Sequence, residues 1–361
     1  MKVGILLPCM HPFALSEEAL QAAETMAPDS LWMPDHLLGF FHPDLWSECP
    51  ASAFISDADG WLDPFCLTAV LGPRTERPLG IAVADSTRRR APDVARSALT
   101  LHHLCRGGFN LGIGSGEAES LVPFGYDFDK PVARCEEFLR ELRSLLDTGR
   151  MPEGGLGRMG IPLESENGRP RVWIGGHGPR MLRLTGQYGD GWLPAWRMEP
   201  EEYAEKRKVI ERHAKAAGRP MPECGVFAAV ILGECRDRVA ELFEADAISK
   251  LTALFIEGEK WQRHGLDHPS GVDSRGLVDV VVHTLDADEL RELAPKIPFE
   301  LIEEGYFIGN ADEVFPQLEA YARVGLEHIV LGTFMGLVGG LPENERFWSE
   351  LFHLRKMLAE I

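Results

Sequence analysis

Short runs of apolar and β-branched residues alternate along this chain with longer segments in which apolar residues recur at helical spacing. Each run has the length of a buried strand, and eight of them stand out, at residues 3–7, 30–33, 80–84, 109–113, 172–175, 191–193, 225–232 and 328–331. Strands separated by helices imply right-handed crossovers and a parallel sheet. Eight such units predict an α/β fold, a closed (β/α)8 TIM barrel, in preference to an open doubly wound sheet.

Two of the helical segments carry clear start and stop signals. Pro131 opens one segment and Gly149 ends it, as is typical of the first helical position and of the position after the last. Asn310, with Glu313 three residues later, predicts a capping box, and Gly325 marks the end of that helix. These signals support the alternation of strands and helices.

Two segments do not fit this repeat. Residues 39–60 are rich in Pro, Phe and Asp, and residues 249–305 are long and mixed in character. In a barrel enzyme the loops at the C-terminal ends of the strands build the pocket, so insertions there would cover the substrate site. A packing elaboration or a dimer contact is the alternative. We interpret residues 1–361 as one barrel domain with these two insertions.

The net charge narrows the classes of partner. The 37 Lys and Arg and the 56 Asp and Glu give a formal charge of -19 at pH 7, which opposes binding to nucleic acid and to anionic membrane surfaces. A small anionic cofactor is still compatible, because helix N-termini and single arginines can reverse the potential locally.

Cysteine usage and hydropathy indicate the compartment. The seven cysteines are odd in number, scattered and free of C-x-x-C spacing, as expected of reduced cytosolic thiols and not of a disulfide frame or a zinc site. No stretch approaches the ~20 apolar residues that span a bilayer. Residues 3–7 read as a first strand and not as a signal peptide, because Pro8 and His11 follow. The expected location is the cytoplasm.

Asp35 and His36 come directly after the second predicted strand. An imidazole at the mouth of a barrel can serve as a general acid or base beside a reacting C–OH or C=O group. The alternative is a histidine that only hydrogen-bonds the loop backbone.

The stretch F-N-L-G-I-G-S-G-E-A-E, at 109–119, is a strand that leads through a glycine-rich turn to Glu117. Gly112, Gly114 and Gly116 would let backbone N–H groups approach a ligand closely. The G-x-G-x-G spacing does not match the NAD fingerprint. A tight turn with a solvated Glu117 is the alternative.

The stretch W-I-G-G-H-G-P-R, at 173–180, ends another strand and opens a helix at Pro179. Free N–H groups and the helix dipole predict a phosphate site there, with Arg180 or Arg183 contributing charge. A turn that needs its glycines for geometry alone is the alternative.

Two further groups carry weaker signals. The run Arg88, Arg89 and Arg90 is either a solvated surface or a contact to an anionic ligand. His264 and His268 have a spacing of four but lack the H-E-x-x-H pattern, so no metal is expected.

Together these motifs resemble the luciferase-like superfamily, in particular its branch that uses the deazaflavin coenzyme F420. The resemblance rests on W-M-P-D-H at 32–36, G-I-G-S-G-E at 112–117, G-G-H-G-P at 175–179 and G-D-G at 189–191, which occur in the family's order. Within that branch the chain is similar to the mycobacterial phthiodiolone and phenolphthiodiolone dimycocerosates ketoreductases. That similarity rests on R-R-R-A-P at 88–92, T-L-H-H-L at 100–104, K-P-V-A-R at 130–134, H-G-P-R-M-L-R at 177–183 and W-Q-R-H-G-L-D-H-P at 261–269.

The resemblance implies an enzyme that transfers hydride between F420 and a carbonyl or secondary alcohol carbon. It implies His36 and Glu117 as catalytic residues, Ala82 and Val83 as the flanks of a non-prolyl cis peptide behind the ring, and a cofactor phosphate held at 176–178. The implied cofactor-binding residues are Asp35, Ala82, Val83, Gly116, Gly176, His177 and Gly178. An FMN-dependent monooxygenase and a non-catalytic F420-binding barrel are the alternatives.

The chain departs from the deazaflavin-dependent glucose-6-phosphate dehydrogenases. Ala195 and Met198 stand where that family places a Thr and a Lys for the sugar phosphate. The neighbouring apolar residues instead suggest a pocket for an apolar ketone or alcohol, lipids included; they are Trp192, Leu193, Pro194 and Trp196. A homodimer is a further expectation.

Overall fold

A computed structural model describes residues 1–195, 197–333, 338 and 341–361. Within these residues the chain forms nine strands that all pair in parallel. They are β1 (Lys2–Leu6), β2 (Ser30–Met33), β3 (Leu79–Asp85), β4 (Phe109–Gly114), β5 (Arg171–Ile174), β6 (Gly191–Trp192), β7 (Glu223–Leu232), β8 (Phe307–Gly309) and β9 (His328–Thr333).

Eight of these strands close into a barrel. In ring order they run β1, β2, β3, β4, β5, β6, β7 and β9, and β9 pairs with β1. The predicted (β/α)8 fold is thus confirmed. The remaining strand, β8, is not among the predicted ones; it pairs with the C-terminal end of β7, and its three residues are too few to show a strand pattern in the sequence.

The α-helices lie between the strands and in the two insertions. They are α1 (Ala14–Met26), α2 (Pro64–Leu71), α3 (Ala91–Leu104), α4 (Ala118–Leu121), α5 (Pro131–Thr148), α6 (Pro179–Tyr188), α7 (Pro200–Ala216), α8 (Arg236–Ala245), α9 (Gly258–Arg263), α10 (Ala287–Leu293), α11 (Phe299–Glu303), α12 (Ala311–Arg323) and α13 (Leu341–Ala359). The predicted ends are confirmed: Gly149 caps α5 at φ 71°, and Asn310 and Glu313 form the capping box of α12. None of the described helices has the length and apolar character needed to cross a membrane.

Large aromatic side chains fill the barrel interior. The rings of Trp32 and Trp173 meet edge to face with centroids 5.4 Å apart, and Leu193 and Val330 pack beside them. A Cβ atom at Gly191 would lie 2.2 Å from a ring carbon of Trp173, so the interior leaves no space for a larger residue there. Because the interior is a packed core, a ligand has to bind at an end of the barrel.

The two insertions, residues 39–60 and 249–305, contact each other. The carboxylate of Asp59 in the first insertion lies 2.9 Å from Nε2 of His283 in the second. Asp59 also accepts a hydrogen bond from the backbone N–H of Gly39 at 2.6 Å. The insertions therefore form one joined layer beside the loop that follows β2.

Candidate active site

Four neighbouring strands bring the candidate residues to one end of the barrel. His36, Glu117 and His177 each lie three positions after a strand, namely β2, β4 and β5, while Ala82 and Val83 lie in β3. These strands are adjacent in the sheet and parallel, so their C-terminal ends meet at the same mouth.

His36 and Glu117 are in contact at this mouth. Nδ1 of His36 lies 3.6 Å from Oε2 of Glu117, and the side chains keep 12% and 28% of their exposure. The structure thus brings the two residues together, whereas their catalytic roles remain predictions. A side chain has to be partly exposed in this way if it is to contact a ligand.

Glu119, which the sequence argument did not single out, makes a shorter contact with the imidazole. Its Oε1 lies 2.9 Å from Nδ1 of His36 and accepts a hydrogen bond from Oγ of Ser120 at 2.8 Å. Oγ of Ser120 in turn accepts from the backbone N–H of Leu37 at 3.1 Å. The one sequence signal for this residue is its position two residues after Glu117, in the same turn.

Burial and neighbouring charges shift the pKa values of His36 and Glu117. We call these two residues, together with Glu119, the acid–base cluster. Burial, followed by the charge of Glu119, raises the pKa of Glu117 to about 8. Burial by itself would lower the pKa of His36, but the hydrogen bond to Glu119 and the charge of Glu117 raise that pKa above the ordinary imidazole value. The cluster therefore holds exchangeable protons near neutral pH, as general acid–base catalysis requires.

Asp35 is held by two arginines. Its Oδ2 lies 2.9 Å from Arg88 Nη2 and 2.7 Å from Arg89 Nη1, and Arg88 also pairs with Asp85. Arg88 and Arg89 therefore serve carboxylates of the chain itself and are not a solvated charge run. Asp35 stabilises the loop that carries His36, and its contact with a cofactor remains a prediction.

The peptide bond between Ala82 and Val83 is cis, as the resemblance implies. Glycines make room for the Val83 side chain: a Cβ atom at Gly112 would lie 2.7 Å from it, and one at Gly114 would lie 3.0 Å from it. Both glycines lie inside β4 and pair with neighbouring strands. The expectation that they approach a ligand is therefore corrected, because their space is taken by β3.

Gly116 shapes the turn that carries Glu117. Its φ is 98°, and a Cβ atom there would lie 2.6 Å from the Leu121 side chain. The turn therefore requires glycine for conformational reasons, and contact of Gly116 with a cofactor remains a prediction.

The loop at 176–178 presents backbone donors at the N-terminus of α6. Its carbonyl groups bond back to the protein: Nε1 of Trp192 donates to Gly176 O at 3.0 Å, and Nζ of Lys206 donates to His177 O at 3.2 Å. Within the described part of the chain nothing accepts from the N–H groups of Gly176, His177 and Gly178. With the dipole of α6, these donors suit an anionic group such as phosphate.

The charged side chains near this loop differ from the predicted ones, which were Arg180 and Arg183. Burial and the neighbouring Lys206 lower the pKa of His177 to about 4, so its ring is neutral at pH 7. Arg180 and Arg183 both pair with Glu136, at 2.7 and 2.8 Å, which offsets part of their charge. Lys206, which no sequence motif marks, contacts the loop directly.

Aromatic rings surround His36 on the side of the insertions. Phe40 and Trp61 lie 4.6 and 5.0 Å from the imidazole, centroid to centroid. Phe255 from the second insertion contacts Phe40 at 5.0 Å. The wall beside the acid–base cluster is therefore apolar, and we call Phe40, Trp61 and Phe255 the aromatic wall.

Of the apolar residues around the end of the Gly-Asp-Gly segment, Trp192 and Leu193 pack in the core. Trp192 stacks on Tyr203 with centroids 4.9 Å apart, and Leu193 belongs to the packed barrel interior. Trp196 lies outside the described residues. The aromatic wall, and not Trp192 or Leu193, supplies the apolar surface next to His36.

Ligand-type atoms of His36, Glu117 and Glu119 all lie within 4.8 Å of one another. Hydrogen bonds inside the cluster already use Nδ1 of His36 and Oε1 of Glu119, which favours the predicted acid–base role over a metal site. The weak metal signal of His264 and His268 gains no support, because both ring nitrogens of His268 hydrogen-bond to backbone groups.

Comparison with known proteins places this geometry in a family. Residues 1–328 match the model of the luciferase-like monooxygenase family. A phthiodiolone/phenolphthiodiolone dimycocerosates ketoreductase of Mycobacterium bovis (strain BCG / Pasteur 1173P2) is 35% identical over 336 residues, which cover 89% of this chain and 88% of that protein.

Two solved structures share the fold. An F420-dependent secondary alcohol dehydrogenase in complex with an F420-acetone adduct superposes with a TM-score of 0.70 at 16% identity, covering 98% of each chain. The EDTA monooxygenase from Chelativorans sp. BNC1 superposes with a TM-score of 0.69 at 15% identity, covering 99% of this chain and 93% of that one. The chain therefore belongs to the luciferase-like monooxygenase family of oxidoreductases, in which it is similar to the phthiodiolone/phenolphthiodiolone dimycocerosates ketoreductases.

Proposed function

We propose that the protein uses coenzyme F420 to transfer hydride between the deazaflavin and the carbonyl or carbinol carbon of an apolar substrate, as a ketoreductase or secondary alcohol dehydrogenase. The observation that carries the proposal is the contact of His36 with two carboxyl groups at the barrel mouth. Carbonyl reduction needs a proton donor beside the reacting oxygen. The names of the ketoreductase relatives and of the F420-dependent structural neighbour support it.

The residues around the mouth fit a phosphate-bearing cofactor. A Cβ atom at Gly178 would meet nothing within 4 Å, so the loop at 176–178 is open to solvent at this residue. A Cβ atom at Gly175 would lie 3.2 Å from the Val83 side chain, so the residue after the cis peptide lies close to the start of this loop. When bound, the deazaflavin would supply or accept the hydride.

The proton chemistry falls to His36 and Glu117. Reduction of a carbonyl group to an alcohol consumes one hydride and one proton. We assign the proton on the substrate oxygen to His36, whose Nε2 has no hydrogen-bond partner among the described residues, and the proton on the cofactor side to Glu117. The reverse assignment uses the same two groups.

The aromatic wall supports an apolar substrate. Phe40 and Trp61 pack against the imidazole and would exclude water from the reacting centre while contacting an apolar substrate. Apolar ketones, lipid ketones among them, therefore fit this site better than sugar phosphates do.

The test is a fluorescence or calorimetric titration of the apoprotein with oxidised and reduced F420, FMN and NADPH, followed by single-turnover reduction of a long-chain ketone. We expect tight binding of F420, weaker binding of FMN, and hydride transfer to the ketone. FMN binding as tight as or tighter than F420 binding would overturn the cofactor assignment. Binding of F420 without turnover of ketones or secondary alcohols would indicate a non-catalytic barrel.

An FMN-dependent monooxygenase is the second candidate function. The likeness in fold to the EDTA monooxygenase favours it, because the same barrel serves both chemistries. Oxygen consumption with reduced FMN and substrate would support this candidate, whereas oxygen-independent turnover with F420 would exclude it.

A further inference from the structure

Glu119 is buried beside the proposed catalytic residues, and the mechanism above leaves it without a task. Its side chain is 1% exposed. Its Oε1 has two hydrogen-bond partners, Nδ1 of His36 and Oγ of Ser120. Its Oε2 is buried without a hydrogen-bond partner among the described residues. A buried carboxyl oxygen without a partner costs free energy, so its presence here calls for an explanation.

We propose that Glu119 is the positioning residue of the acid–base cluster: it keeps the proton of His36 on Nδ1, so that Nε2 is the nitrogen that exchanges a proton with the substrate. The proposal about the substrate rests on the proposed function, but the tautomer is a property of the chain itself. A carboxylate that accepts from Nδ1–H fixes both the tautomer and the ring orientation of a histidine.

The two glutamates differ in their distance from the imidazole. Oε1 of Glu119 accepts a hydrogen bond from Oγ of Ser120 and lies 2.9 Å from Nδ1 of His36, so it is the carboxyl group placed to hold the imidazole proton. Glu117 lies farther from the imidazole, at 3.6 Å, and its pKa of about 8 leaves it mostly protonated at pH 7. Asp35, Asp85 and Arg88 are further charged groups that act on this cluster, and Arg88 pairs with both aspartates.

A purely structural role for Glu119 makes different predictions. Through Ser120 it connects α4 to the backbone of Leu37, so its removal could simply loosen the loop that follows β2. That role does not require the Nδ1–H tautomer of His36, because it acts through Ser120 and the backbone. The two roles therefore separate on which ring nitrogen carries the proton.

The experiment compares wild type with Glu119→Gln, which keeps the shape and an acceptor oxygen but removes the charge. Ser120→Ala is the matched control, because it removes one hydrogen bond to the carboxylate and keeps the charge. Imidazole titrations are followed by NMR in the apoproteins, with His36 assigned by its loss in His36→Asn. We expect the pKa of His36 to fall by about one unit or more in Glu119→Gln and by much less in Ser120→Ala. Equal shifts, or no shift in Glu119→Gln, would overturn the proposal.

A measurement on wild type keeps the test decisive if Glu119→Gln fails to fold. Nitrogen chemical shifts above the pKa of His36 report which ring nitrogen carries the proton. We expect the Nδ1–H tautomer, and the Nε2–H tautomer would contradict the inference. These readouts need no cofactor, so absence of F420 binding would defeat the proposed function and leave the test of Glu119 intact.

The kinetic counterpart uses the F420-saturated enzyme. Loss of the negative charge lowers the pKa values of both His36 and Glu117, so the pH–rate profile of Glu119→Gln should move to lower pH. Turnover should fall while KM for the ketone changes little. A lower rate with an unmoved profile would point to a structural role.

Discussion

Glu117 owes its chemistry to the groups around it. A carboxyl group in water is ionised at pH 7, but burial and the neighbouring Glu119 raise the pKa of Glu117 to about 8. At neutral pH its proton is therefore present and available for transfer, whereas the same residue on a solvated turn could not serve as an acid.

This difference predicts a pH dependence. Oxidation of a secondary alcohol adds a hydride and a proton to the cofactor, and the protonated form of Glu117 that would give this proton is lost as the pH rises through about 8. We expect the single-turnover rate of alcohol oxidation by the F420-saturated enzyme to decline above that pH. In Glu117→Gln the decline should disappear, with a rate about 10²- to 10⁴-fold lower across the range.

His36→Ala should lower the rate by a similar factor, while the affinity for F420 changes much less. Circular dichroism and F420 titration serve as controls for folding and for cofactor binding. Wild-type rates in both folded variants would refute the acid–base assignment.

Gly178 offers a test of the proposed phosphate anchor. Its φ of -70° suits any residue, and a Cβ atom there would meet nothing within 4 Å. Gly178→Val should therefore fold normally but weaken F420 binding, because the side chain blocks the approach of the phosphate to the N–H groups.

Gly160→Val is the matched control for this variant. Gly160 also has open space around its Cβ position and lies in the loop between α5 and β5. The measurement is the Kd for F420 in both variants, with thermal unfolding as the check of folding. Equal Kd values for Gly178→Val, Gly160→Val and wild type would argue against the anchor.

At the scale of elements, the sequence reveals what is local and repeated. The strands of the barrel and the ends of α5 and α12 follow from periodicity and capping residues near to them in sequence. β8 cannot be predicted from the sequence, because it has three residues and depends on pairing with β7. The contact of Glu119 cannot be predicted for a related reason: its partner His36 is 83 positions away, and no local pattern marks that contact.

The contact between the two insertions also cannot be predicted from local sequence patterns. Their sequence indicates irregular structure at the mouth, but not that Asp59 and His283 connect them. Asp59 also holds the backbone of Gly39, next to Phe40 of the aromatic wall.

We therefore predict that Asp59→Ala loosens the wall. The KM for an apolar ketone should rise several-fold, and unfolding should become easier by about 1–3 kcal/mol, because a partly buried N–H group loses its acceptor. Glu48→Ala is the control, since the pair of Glu48 with Arg291 joins the same insertions at an exposed position and exposed pairs contribute little. The measurements are steady-state kinetics and denaturant unfolding; equal effects of the two substitutions would count against the connection.

At the scale of the whole molecule, the two ends of the barrel differ in the use of their charged groups. At the mouth the charged groups surround the partly buried acid–base cluster. At the opposite end a cavity of about 350 Å³ is lined by charged residues that pair with one another, such as Lys2, Arg171 and Glu223. The opposite end is therefore organised for stability, in agreement with the division of roles in (β/α)8 barrels.

Glu223 of β7 is the centre of that stabilising network. It hydrogen-bonds Lys2 of β1 at 3.0 Å, Arg171 of β5 at 2.6 Å and His328 of β9 at 3.2 Å. Burial would raise its pKa, but the bonds to His328 and Arg171 hold that pKa well below the ordinary value of 4.5. The carboxylate thus connects β7 with β5 on one side and with β9 and β1 on the other.

This arrangement predicts how stability depends on pH. Because the pKa of Glu223 is lower in the folded chain than in the unfolded chain, its stabilisation is present above pH 4.5 and is lost as the pH falls below that value. Glu223→Gln should lower the free energy of unfolding by roughly 1–3 kcal/mol at pH 7, and the difference from wild type should shrink as the pH falls below about 4.5. Glu300→Gln, at an exposed position, should match wild type throughout. Denaturant unfolding from pH 3 to 7 measures the difference. A constant difference between wild type and Glu223→Gln over that range would show that the side chain acts by packing and not by its charge.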